Sequence, residues 1–176
     1  MAGAAAVSLL VACGGGRTPG PIATPGRFAY FPRLKVGSTI TDGAVQLIYH
    51  GTRNPVIDEV RDANTTDGFE LIGAMVAGPR RKWGVNEMVH GYPPTQAGFG
   101  PITDAVGAVI PAGDVGVELL LGLKIVKGGY QVRQSVDIDY HIGTDEYTIR
   151  APVSVINCPS GYSFKKCSSL FSADNW

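Results

Sequence analysis

Three side chains able to bind metal or move protons recur at alternate positions of one short run. Asp137, Asp139 and His141 stand in QVRQSVDIDYHI, residues 131–142. Alternate residues of a strand share a face about 7 Å apart, and two carboxylates with an imidazole are donors that a divalent metal accepts. Consecutive same-face side chains diverge, however, so a third ligand from one strand is strained. The run therefore reads as the wet face of a half-buried strand, and no metal site is assigned. The other histidines, His50 and His90, lie near Met75 and Met88 in sequence. Imidazole with thioether suits copper. Asp58 and Glu59 are adjacent, so on a strand they face opposite ways and cannot act on one bond. No Gly-x-Ser-x-Gly elbow, His-Glu-x-x-His pair or phosphate-cradling glycine loop occurs. The expectation is a protein without enzymatic activity and without a cofactor.

A second group suits binding. Arg80, Arg81, Lys82 and Trp83, with Tyr92 beyond them, form a candidate partner-binding patch. They lie in residues 77–107, rich in glycine and proline and without clear periodicity apart from a possible short helix over 101–109. Loops of this length are often functional. The same residues would equally make a solvated loop pinned by one aromatic. The chain has 15 basic and 15 acidic residues, so no global field draws in nucleic acid. No apolar run reaches the roughly 20 residues that span a bilayer.

Positioning these residues falls to strands. The 24 glycines and 12 prolines disfavour long helices, while 44% hydrophobic residues supply a core. In 115–126, Val117, Leu119, Leu121, Leu123 and Ile125 share one face. In 131–142, Val132, Val136, Ile138, Tyr140 and Ile142 recur at even spacing, and Tyr147 and Ile149 continue the pattern. Period two is the strand signature. Lys127-Gly128-Gly129 and Gly143-Thr144-Asp145 turn the chain, which predicts a meander of hairpins over 117–156. Residues 44–51, 55–62 and 69–76 read as further strands. The predicted fold is all-β, an antiparallel two-sheet sandwich, and residues 117–156 resemble the closing strands of immunoglobulin-like sandwiches in exported bacterial proteins.

The N-terminus sets the expected location. Residues 2–12 are small and apolar, without a charge. Leu10-Val11-Ala12-Cys13 then resembles the lipobox of bacterial lipoproteins. In that family the cysteine sulfur takes a diacylglyceryl group and becomes the new N-terminus. The resemblance implies a signal segment over 1–12, shorter than the usual signal and lacking its basic start. It implies a lipidated Cys13 and flexible tether over 13–26, and a folded body over 27–176. The protein would then sit on the extracytoplasmic face of the cell membrane, with the membrane itself and an envelope protein as partners. With Cys13 lipidated, Cys158 and Cys167 remain as a disulfide pair, which the same compartment favours. The chain also bears a faint similarity to periplasmic copper chaperones, in IPAGD at 110–114, the apolar strand 117–123 and Ala151-Pro152-Val153. Where that family places His and Met ligands, this chain has Glu118-Leu119-Leu120-Leu121-Gly122.

Overall fold

The computed structural model describes residues 18–25, 28–78, 88–95 and 99–172. Cys13 and the Arg80–Trp83 patch lie outside the described residues. Within them the chain forms β1 (Thr18–Pro19), β2 (Phe28–Tyr30), β3 (Thr39–Tyr49), β4 (Val56–Thr65) and β5 (Phe69–Ala77). Then follow β6 (Met88–His90), β7 (Ile102–Asp104), β8 (Gly113–Ile125), β9 (Gln131–Ile142), β10 (Asp145–Asn157) and a helix, α1 (Phe164–Ser172).

Alternation dictates how these strands pack. Val117, Leu119 and Leu121 of β8 and Val136, Ile138 and Tyr140 of β9 are fully buried in one cluster. Each strand offers one apolar face, and the two faces meet between sheets. One sheet has the order β1-β10-β9-β4, with β2 also on β10; the other has the order β6-β3-β8-β5-β7. The long pairs are antiparallel, whereas β1 and β2 run parallel to β10. With β3, β5 and β8 in one sheet and β4, β9 and β10 in the other, this is the strand arrangement of an immunoglobulin-like sandwich.

Three expectations change. The meander holds only for the β9–β10 hairpin, because β8 and β9 belong to different sheets. Their apolar faces can meet only if the chain crosses over between them. Residues 101–109 form no helix: Ile102–Asp104 pairs with β5 as β7. Residues 18–23, expected in the tether, belong to the sandwich. Thr18 and Pro19 pair with Tyr147 and Thr148, and Ile22 is buried in the main core. The Ile22 N–H donates to the Tyr140 hydroxyl at 3.3 Å.

The C-terminal helix was not anticipated. Ser163 caps it, its hydroxyl accepting from the Lys166 N–H at 3.2 Å. Cys167 and Phe171, one turn apart, are buried with Val132, Ile156 and Cys158 on the outward side of the β9–β10 hairpin. Cys158 and Cys167 stand at disulfide-bonding separation, Cα–Cα 6.0 Å.

Candidate functional site

The outer face of the first sheet carries the residues considered for a metal. Each is engaged by a neighbour. Arg150 grips Asp137 with two hydrogen bonds of 2.7 and 2.8 Å, which holds that carboxyl below the usual carboxylate range. Asp139 accepts from Arg61 at 2.5 Å and from the Thr148 hydroxyl at 2.6 Å. His141 Nδ1 lies 2.7 Å from Asp58. Register explains the pattern, since Arg150, Asp137 and Arg61 are direct cross-strand partners. This is an ion-paired wet face. Among the described residues no group of three or more His, Cys, Asp or Glu is placed to hold a metal.

Two short edge strands build a different feature. β2 ends one sheet and β6 ends the other, on the same side of the sandwich. Between them opens a groove of about 300 Å³. Tyr30, Phe31, Pro32 and Leu34 line it from β2 and the turn that follows; Met88, Val89 and His90 line it from β6, and Ile40 of β3 contributes between them. Its character is mainly apolar. Met88 and Leu34 pack against Ile40, Leu123 and Val155, so the groove opens onto the inter-sheet core. On its β2 side, the Leu34 N–H donates to the Asn157 side chain at 2.8 Å and the Cys158 N–H donates to the Pro32 carbonyl at 3.0 Å. Phe31 meets Phe164 and Phe171 of α1 edge-on, with centroids 5.2 and 6.0 Å apart. The helix thus braces one wall.

Charged groups are buried close to the groove. Arg133 of β9 is fully buried and donates from Nε to Asp62 of β4 at 2.6 Å. Its Nη1 lies 3.9 Å from Asp42 of β3, also fully buried and on the opposite sheet. Burial pushes the Asp42 carboxyl up; the Arg133 charge and the Ala44 N–H pull it back only in part. Tyr30, in the groove wall, has its phenol pushed up to about 12 by burial, then by the charges of Asp42 and Glu118. It stays a neutral donor at any physiological pH. Nothing in the sequence reading pointed to Arg133, Asp42 or Glu118.

Tyr92, assigned to the partner-binding patch, lies flat on the outer face of the second sheet. Gly73 and Gly122 sit opposite each other on β5 and β8, and the ring covers both. A Cβ at Gly122 would meet ring carbons at 2.5 Å, and one at Gly73 would meet the hydroxyl at 2.6 Å. Burial, then the Asp104 charge, raises the Tyr92 phenol. Close by, Ala77, Val89, Phe99 and Leu120 make a small outer core. The irregular stretch around residues 77–107 therefore folds, where described, over the back of this sheet.

The histidines are scattered. His90 pairs with Ile40 at one end of β3, while His50 follows Tyr49 at the other, about 30 Å away along the strand.

No protein-family model matches this chain, and no curated protein matches it.

Proposed function

We propose that the chain is a lipid-anchored, extracytoplasmic binding module of the cell envelope, without catalytic activity, whose partner docks in the groove between β2 and β6. The observation that carries this reading is the groove itself: about 300 Å³, mainly apolar, and walled by two edge strands. Backbone N–H and C=O groups of an edge strand offer an extended partner the pairing that a sheet offers its own strands. Cysteines at disulfide-bonding separation suit an oxidising compartment, in agreement with the lipobox-like Leu10–Cys13. Arg81 and Trp83, a few residues before β6 in sequence, are proposed to extend the contact.

Photocrosslinking tests it. A photoreactive residue at Met88 in the native envelope is expected to capture one partner, and Leu34→Arg should abolish capture while leaving the fold intact by circular dichroism. Capture unaffected by Leu34→Arg and by joint alanine replacement of Arg81 and Trp83 removes this surface. Intact mass of the same preparation reports whether Cys13 carries lipid.

One observation favours a second reading, a copper carrier. Met88 and His90 both line the groove and alternate on β6. Stoichiometric tight Cu(I) binding that disappears in His90→Ala would establish it; its absence leaves the protein-binding reading.

A further inference from the structure

The way β1 enters the sheet fixes how an anchored sandwich would stand. Thr18 pairs with Tyr147, and through Tyr140 the same row reaches Ile57. β1 is parallel to β10, and β10 runs away from the Gly143–Thr144 turn. β1 therefore begins on the side of that turn. Only four residues separate Thr18 from Cys13, five Cα–Cα steps, so the two Cα atoms lie at most about 18 Å apart. From the Tyr147 row to the turn is three residues, about 10 Å. Cys13 can thus stand no more than about 8 Å beyond the turn, close to the roughly 6 Å depth of one headgroup layer.

We propose that the domain rests on the lipid headgroup surface through this tip, made by the β3–β4 loop, the residues entering β8 and the β9–β10 turn. The inference rests on the lipid-anchor reading. Most exposed side chains of the tip suit a hydrated headgroup layer, and Val109, paired with Val56 beside the β3–β4 loop, is an exposed apolar exception. Thr52, Asn54 and Thr144 are small, polar and exposed. Arg53 lies 3.7 Å from Asp145, and the exposed Glu146 beside it adds a negative charge rather than a basic patch. Asn54 accepts from the Ala112 N–H, tying the loop to the residues entering β8. Contact is expected to be independent of anionic lipid and of salt, because orientation comes from the short tether. The groove is carried outward: Tyr30 pairs with Val155, ten residues along β10 from the tip, about 33 Å away.

The test places a fluorescent residue at Thr144 or at Gly128, in turns at opposite ends of the sandwich. Full-length protein is bound to phosphatidylcholine vesicles that carry a headgroup quencher. A phospholipid coupled through maleimide to Cys13 provides the anchor, since Cys158 and Cys167 hold each other. Thr144 should lose most of its emission, and Gly128 no more than the unanchored chain does. Inserting twenty Gly/Ser residues after Gly16 should erase the difference. Equal quenching at both positions, or a difference that survives the insertion, overturns the orientation. The intact mass of natively made protein tests lipidation separately: an unmodified Cys13 would sink the anchor reading, while the conjugate still reports on the tip.

Discussion

Gly122 and Tyr92 offer a decisive thermodynamic cycle. An alanine at 122 places its Cβ 2.5 Å from ring carbons where ordinary contact begins near 3.4 Å, a shortfall of 0.9 Å. The ring cannot simply lift. Its neighbour Gly91 donates its N–H to the Thr39 carbonyl at 2.9 Å, and the Thr41 hydroxyl donates to the Gly91 carbonyl at 2.6 Å. Overpacking of this kind costs about 1–3 kcal/mol. Replacing glycine within a strand returns roughly 0.5–1 kcal/mol through backbone entropy. Gly122→Ala should therefore destabilise by up to about 2.5 kcal/mol in the natural background. With Tyr92→Ala the clash is gone and the same change should stabilise by roughly 0.5–1 kcal/mol. Urea unfolding followed by circular dichroism gives all four corners of the cycle. A reversal of sign, with coupling of about 1–3 kcal/mol, is expected. Additivity within about 0.5 kcal/mol would refute the ring-on-glycine packing.

Joint alanine replacement of Cys158 and Cys167 opens a loop of sequence separation 9 and should cost about 2–3 kcal/mol; a native chain in which both thiols react with a disulfide reagent would contradict it. Asp42 sets a pH dependence. Its folded pKa is raised above the ordinary 3.8, chiefly by burial, so the folded chain holds that proton more tightly than the unfolded one. Stability from this group is greatest below the unfolded value, falls as pH rises towards the folded value, and is then level. Asp42→Asn should accordingly gain on the natural protein between about pH 4 and the folded pKa in urea titrations; a gap that closes as pH rises would reverse the sign.

The long strands were legible because each buries one face, and period two survives in Val117–Ile125 and Val136–Ile142. Which strands share a sheet was not legible, since alternation says which face is apolar and not which strand lies beside it. Asp42 escaped notice for a local reason. Counting back from Tyr49, Leu47 and Val45 puts it on the wet side, but the register shifts between Asp42 and Val45 and the phase reverses. A clue to the covered outer face was present: Leu120 interrupts the polar phase of β8 and is fully buried. The helix had a signal too, Ser163 as cap and Phe164, Cys167 and Phe171 at helical spacing, though nine residues is short. The groove joins residues near 30 with residues near 90, and no local pattern announces such a meeting.

Greasy layers can slide over one another, because one methyl neighbour is much like the next. The contact across the interior between Arg133 and Asp42 removes that freedom. Shifted by a residue, the guanidinium would face aliphatic carbon and the carboxylate would lose its one opposite charge, at a cost of several kcal/mol. The pair works like a detent in a sliding bolt, giving up some depth of the energy well to ensure there is only one well.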